Sequence, residues 1–281
     1  MPARMVYDEP DDVYYSNANA TTPLLSQSLA KTLLTKSPAH AWVEHPQLGG
    51  KGKKATPAMD EGTVLHSIIL GAGKPVEVVD AKDWRTKATQ EARDAAQKAG
   101  KVAFLAKDYA ELQAAATECQ KALAKVGVRF NGKSEVSLYW TEETPHGPVE
   151  CRGRLDHWHE RAWTAIDLKK TVSASPSDIG RKILDLGIDL QWAAYTSALR
   201  QIDPSKTPDM LFAFCEVGPP YAATAVIAGT RWRETGETRW RRACEIWAKC
   251  CAEQHWPAYA ADLVELDLPE WAYRRQSMEV D

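Results

Sequence analysis

No two of the six cysteines in this 281-residue chain form a C-x-x-C pair. Cys119, Cys151, Cys215, Cys244, Cys250 and Cys251 are scattered, which excludes the usual spacings of a structural zinc or iron–sulfur site. Free thiols of a reducing compartment are expected. No apolar run approaches the roughly 18–20 residues that span a bilayer. The opening stretch, Met1 to Pro10, is acidic and lacks a hydrophobic signal core, so the expected location is the cytoplasm. An excess of positive charge is also missing. The 35 Lys+Arg against 38 Asp+Glu leave a net charge of −3, which excludes a uniformly basic coat and confines any nucleic-acid contact to local patches. Phenylalanine is scarce, four against eleven tryptophans, and composition gives no reason for it. What remains, 44% hydrophobic and 26% charged residues, suits a globular chain able to bury a core. At roughly 100–200 residues per domain the length allows one large domain or two small ones.

The organisation is read from periodicity. Residues 1–22 are polar and acidic and predict a loosely held arm. Leu24 to Leu34 has helical spacing stopped by Ser37-Pro38, and Asp60 to Leu70 predicts a second helix closed by Gly71 and Gly73. Gly49 to Lys54 is a basic loop. Residues 84–126, rich in Ala, Lys, Glu and Gln, predict two surface helices separated near Gly100. Three strands follow, Ser134–Trp140, Val149–Trp158 and Trp163–Lys169, and their short connections favour an antiparallel meander. Ser175-Pro176-Ser177-Asp178 starts a helix that reaches about Ile202 with a break near Gly187. Met210–Val217 and Tyr221–Ala228 predict two more strands, and Arg231–His255 a last helix. The expected fold is α+β with a mixed central sheet, a helical part over 23–126 and a sheet core over 127–281, forming one domain after the arm.

The residues that carry chemistry lie between 150 and 171. Asp167 and Lys169, at i and i+2 on one strand, point to one face. Asp156 stands eleven residues earlier on the neighbouring strand. Two carboxylates and an ammonium can therefore converge at one sheet edge, where a divalent cation is the usual compensation for buried carboxylates. Oxygen ligands favour Mg²⁺ or Mn²⁺ over zinc. D-x-K alone is a common salt-bridge pattern; its setting in an otherwise apolar strand sharpens it.

Asp156, Asp167-Leu168-Lys169 and Gln191-Trp192-Ala193-Ala194-Tyr195 resemble the PD-(D/E)xK nuclease pattern with its downstream Q-x-x-x-Y box. Gly62-Thr63-Val64-Leu65-His66 resembles the G-x-x-x-H element of the RecB-like and exonuclease VIII (RecE-like) branch, to which phage recombination exonucleases belong. The flanks are similar too, namely Leu25-Ser26-Gln27-Ser28, Ser134-Glu135, Cys151 to Asp156, and a tail running through Trp256-Pro257 to Trp271-Ala272. The resemblance implies a restriction-endonuclease-like core with helical N-terminal additions. It implies that His66, Asp156, Asp167 and the Leu168 carbonyl hold one or two Mg²⁺ ions per subunit, with Mn²⁺ able to substitute. Glu135 would be a further acidic residue, Lys169 would act on the nucleophilic water, and Gln191 and Tyr195 would touch the DNA end or steady Lys169. The implied activity is digestion of linear duplex DNA from a 5′ end, leaving a 3′ tail for a single-strand annealing recombinase. The implied assembly is a homo-oligomeric ring, trimer or tetramer, of phage or prophage type in a bacterial cell. The rivals are a RecB-like or Cas4-like nuclease of other polarity and a DNA-end-binding assembly protein without catalysis.

Other residues admit two readings. Lys170 extends the motif to D-L-K-K, and shared parity with Asp167 selects Lys169. Gly62, one turn before His66, is read as allowing close backbone approach. Arg152 and Arg154, on the face of Asp156, can pair with a carboxylate or bind a phosphate. Ser26 suits a terminal phosphate or a helix cap, and Lys51, Lys53 and Lys54 suit a DNA backbone or solvent. His157 and His159 are expected at the surface, because no third ligand makes them a zinc site. Arg231, Arg233, Arg239, Arg241 and Arg242 give the last helix a basic face beside its packed tryptophans.

Overall fold

The computed structural model describes residues 1–17, 20–50, 57–259 and 262–270. Its elements in chain order are β1 (Arg4–Val6), α1 (Asp11–Ser16), β2 (Leu25–Ser26), α2 (Gln27–Thr35), α3 (Pro38–Glu44), α4 (Pro57–Leu70), β3 (Val76–Val79), α5 (Lys87–Lys98), β4 (Val102–Leu105), α6 (Ala106–Lys125), β5 (Lys133–Glu142), β6 (Val149–His159), β7 (Thr164–Thr171), α7 (Pro176–Leu186), α8 (Ile188–Ile202), β8 (Asp209–Glu216), β9 (Ala223–Ile227) and α9 (Thr230–Glu253). The frame is a seven-stranded sheet in the order β1-β5-β6-β7-β8-β9, with β2 added alongside β6. β5, β6 and β7 form the antiparallel meander their short turns predict. β8 then joins β7 in parallel, because the crossover through α7 and α8 is long enough to return the chain in the same direction. The sheet is therefore mixed, as the sequence predicts.

Strand periodicity separates the two faces. Ile166 and Leu168 of β7, with Ala213 and Cys215 of β8, pack on Leu65 and Ile69 of α4 and on Cys119 and Leu123 of α6. The opposite parity, including Ala165, Phe212 and Phe214, meets α2, α8 and α9 through Leu29, Leu190, Ala194 and Trp247. Asp167 and Lys169 belong to this second face. Tryptophans span the wide layer here. The indoles of Trp140 and Trp240 both donate to Glu142 Oε1 at 2.8 Å, and Trp247 meets Trp256 edge-on.

Helix ends follow local chemistry. Ser175 Oγ accepts from Asp178 N at the start of α7. Gly187, at φ 71°, ends α7 and begins α8, so the predicted break is a left-handed turn. Ser37-Pro38 stops α2 and also starts α3, with Ser37 as its cap.

Several expectations are corrected. The predicted loose arm is tied down. β1 pairs with β5, and Tyr14 of α1 is buried, because the buried arginines of β6 reach back to this segment. The helical region 23–126 also contains β2 and a small parallel pair, β3 and β4, joined through α5. Four-residue strands such as Val76–Val79 are too short to show a period. His157 is buried rather than at the surface; its Nε2 accepts from Gly132 N at 2.8 Å and Ser134 Oγ lies 3.0 Å from Nδ1. Burial, joined by repulsion from His159, lowers its pKa to about 4. Five of the cysteines are buried free thiols, and Cys251 is half-buried. Among the described residues no helix is long and apolar enough to cross a membrane. Lys51, Lys53, Lys54, Trp271 and Ala272 lie outside the described residues.

Candidate active site

The register of the meander assembles the site. β5 pairs with β6 through Ser134↔His157 and Val136↔Leu155, which sets Glu135 opposite Asp156. β6 pairs with β7 from His157↔Ile166 onward, which sets Asp156 opposite Asp167 at the point where the two strands part. Three carboxylates thus stand in one row across three adjacent strands. Like charges directly opposite one another destabilise a ladder, and regular pairing lapses at both of these positions. Glu135 takes a left-handed backbone, φ 55°, a conformation that costs a side-chain-bearing residue about 1–3 kcal/mol. Where β7 leaves β6, Leu168 N donates to Asp156 Oδ2 at 2.8 Å in place of a strand partner.

The opening is lined by a second set of groups. Lys169 Nζ lies 2.5 Å from Asp167 Oδ1 and donates to Gln191 Oε1 at 2.9 Å. Gln191 Nε2 donates to Asp167 Oδ2. Gln191 on α8 therefore fixes both motif residues at once. The Lys169 ammonium is thus the counter-charge of the buried Asp167 Oδ1. Lys170 faces the other way and pairs with Glu61 of α4, as strand parity predicts. His66 of α4 reaches the row from the opposite face. Its Nε2 lies 2.7 Å from the Leu168 carbonyl oxygen and its Nδ1 lies 3.7 Å from Asp156 Oδ2. Leu65 and Ile69, buried against Ile166 and Leu168, hold α4 there. A Cβ on Gly62 would meet nothing within 4 Å, so close approach is not the reason for that glycine.

Charge in the row is under-compensated. Burial, then the Asp156 charge, raises Glu135 to about 7 against the pull of Arg154. Burial and Asp156 likewise push Asp167 up, with Lys169 pulling it down. Burial works against the Lys169 ammonium, but the Asp167 and Asp156 carboxylates outweigh it and its pKa is raised. Among the described residues no three His, Cys, Asp or Glu side chains already surround one point. The donor set nevertheless fits a divalent cation. Asp156, Asp167 and the Leu168 carbonyl offer hard oxygens, His66 adds an imidazole, and the buried carboxylates of the row repel one another more than Lys169 compensates.

Tyr195 fills the gap in β6. β2 covers β6 at Cys151 and Arg152, and β7 covers it from His157. Between them the Tyr195 hydroxyl accepts from Arg154 N at 3.4 Å. Its ring lies so close that a Cβ on Gly153 would stand 2.4 Å from Cε1. Tyr195 is buried and, among the described residues, makes no hydrogen bond to Lys169, which Gln191 and Asp167 hold. Gly153→Ala is expected to cost about 1–3 kcal/mol by overpacking and to slow any reaction at the row. Denaturant unfolding and an activity measurement check the two effects, and unchanged stability would show that the ring has room to move.

The two arginines differ from the phosphate reading. Both are buried. Arg154 donates to Asp11 Oδ1 at 2.6 Å, to the Glu9 carbonyl at 3.0 Å and to Ser137 Oγ at 3.2 Å; Glu135 Oε2 lies 3.8 Å away. Arg152 Nη1 donates to the Tyr14 carbonyl, and its Nε has no partner. They brace the N-terminal segment against the sheet. Ser26 caps α2 by accepting from Leu29 N at 3.3 Å and also borders the cleft. The cleft measures about 600 Å³ and is bordered by the carboxylate row, Lys169, Gln191, Tyr195, Ser26, Arg152 and Arg154. Asp11, Tyr15, Asp60, Thr63 and Lys74 border it as well. Sequence reasoning missed these five, since no local pattern ties them to the motif. On the last helix, Arg239 pairs with Asp189 at 2.6 Å and Arg233 sits over the Trp192 ring, so only part of the predicted basic face is free.

A family described as a PDDEXK-like domain of unknown function (DUF3799) matches residues 26–266. No curated protein matches the chain. Among solved structures, one described as a "Putative exonuclease" from Eubacterium rectale aligns with a TM-score of 0.59 at 13% identity, covering 95% of this chain and 98% of that one. At that identity it supports the fold alone. A structure of SSO0001 aligns with a TM-score of 0.29 at 12% identity over 68% of this chain and 86% of that one, too low to carry an argument.

Proposed function

This chain belongs to the PDDEXK-like family DUF3799, and from that premise we propose that it is a divalent-cation-dependent exodeoxyribonuclease acting on linear duplex DNA. The observation that carries the reading is the row Glu135, Asp156 and Asp167 with Lys169 beside it. Asp156, Asp167, the Leu168 carbonyl and His66 would hold the cation, Mg²⁺ or Mn²⁺. When bound, it would supply positive charge to the phosphate oxygens on which charge develops during hydrolysis. Lys169, kept protonated by its carboxylate neighbours, cannot accept a proton. It can donate hydrogen bonds from Nζ to orient a water and place a second positive charge beside the phosphate. Gln191 holds Nζ and Asp167 in register, and the Tyr195 hydroxyl accepts from Arg154 N on the stretch of β6 between β2 and β7. On the other wall, the N-terminus of α2 brings Ser26 and Ser28 to the cleft. That arrangement suits a DNA phosphate.

Polarity, assembly and partner come from the resemblance to phage recombination exonucleases. The chain would start at 5′ ends, leave 3′ tails for a single-strand annealing recombinase and work as a ring of three or four subunits. The test uses linear duplex labelled at either end. Label is expected to leave 5′ ends first, only with Mg²⁺ or Mn²⁺, and to stop on chelation. Release from 3′ ends first would favour the RecB-like alternative, and binding without release a non-catalytic end-binding protein.

A further inference from the structure

Four basic side chains border the cleft among the described residues, and three are committed. Lys169 is held by Asp167 and Gln191. Arg152 and Arg154 are buried and tied to the N-terminal segment. Lys74 is exposed and makes no ion pair or hydrogen bond among the described residues. It follows a turn in which Gly71 and Gly73 both have left-handed backbones, φ 63° and 94°, a conformation other residues resist, and Pro75 fixes φ directly after it. Gly73 lies against the end of the row, where a Cβ would stand 3.6 Å from Glu135 Oε1.

Tyr15 comes from a different part of the chain, on α1, and the residue is 58% exposed. Tyr14 meets it edge-on at 5.1 Å, and Arg154 stands 5.9 Å from its centroid. Tyr15 and Lys74 border the catalytic cleft and also a second hollow of about 580 Å³ that adjoins it. The acidic residues Asp8, Glu9, Asp11, Asp12 and Glu135 border that hollow, and Asp11 and Asp12 share α1 with Tyr15, so a phosphate is repelled beside the ring. An uncharged base is therefore the part of a nucleotide that this wall can accept, and the phosphate belongs with Lys74.

We propose that Tyr15 and Lys74 form a nucleotide subsite next to the carboxylate row, where the ring stacks on a base of an unpaired DNA end and the ammonium holds its phosphate. The proposal rests on the nuclease reading for its substrate. A base inside a duplex has both faces stacked, so an exposed ring selects a terminal or single-stranded nucleotide. Both residues are positioning residues.

The experiment measures binding of end-labelled DNA by the full chain with Ca²⁺ in place of Mg²⁺. An abasic nucleotide is placed at each position near the end in turn. Wild type is expected to lose about tenfold in affinity at one position, and Tyr15→Leu to show no extra loss there, while Tyr15→Phe keeps it. Lys74→Ala is expected to lower the salt slope by about one ion, and Lys74→Arg to restore it. A wild-type loss equal at all positions, the same positional loss in Tyr15→Leu, or an unchanged slope in Lys74→Ala overturns the proposal. Digestion with Mg²⁺ is scored separately. DNA that binds with this coupling but is never cut overturns the nuclease reading alone, and DNA cut without coupling overturns the subsite alone.

Discussion

Alanine at position 169 is expected to lower the rate of Mg²⁺-dependent digestion by about 10²–10³-fold, the usual loss when one charge-stabilising donor is removed from a reaction site. Affinity for the DNA end should change far less, because the ammonium is turned towards Asp167 and Gln191. Lys169→Arg should not rescue it. A planar guanidinium cannot occupy the place of a compact ammonium between one carboxylate and one amide oxygen. Gln191→Ala is expected to fall between the two, since it leaves Lys169 charged but removes the amide that holds it to Asp167. Single-turnover digestion of pre-bound end-labelled duplex, with thermal melting as a check on folding, measures these effects. Equal rates in wild type and Lys169→Ala would end the catalytic assignment of the whole row.

Stability should respond most to the pair behind α8. Asp189 is fully buried in the first turn of that helix, with Oδ2 2.6 Å from Arg239 Nη1 and Oδ1 without a hydrogen bond. Removing one partner of a buried pair leaves the other charge uncompensated. Arg239→Met is therefore expected to cost about 3–5 kcal/mol, a fall in Tm of roughly 6–20 °C for a chain of this size. Asp189→Asn in the same chain should recover most of it, because the orphaned charge is gone. The helices approach closely at this point, where a Cβ on Gly236 would stand 2.4 Å from the Asp189 carbonyl oxygen. Since α8 also carries Gln191 and Tyr195, Arg239→Met should slow digestion even where the protein stays folded. Calorimetry of the two variants checks the claim, and an unchanged Tm for Arg239→Met would mean that the pair does not set the position of α8.

What could be read directly from the amino acids was whatever has a local period. The meander strands and most helices follow from periods of 2 and 3.6 residues, as does the choice of Lys169 over Lys170. The turn at Gly187 and the Ser175 cap follow from residue chemistry. Asp156, Asp167, Lys169, His66 and Gln191 were legible as a set because their order and spacing resemble a known pattern. Strand register and long-range docking have no local signature. Only the tertiary structure puts Glu135, Asp156 and Asp167 in one row, because pairing across β5, β6 and β7 decides which residues stand opposite. Only it buries Arg152 and Arg154, because an N-terminal segment some 140 residues away supplies their partners. β3, β4 and the meeting of Tyr15 with Lys74 at one cleft belong to the same class: short or distant segments are placed by the surfaces they cover, and their own sequence does not record those surfaces.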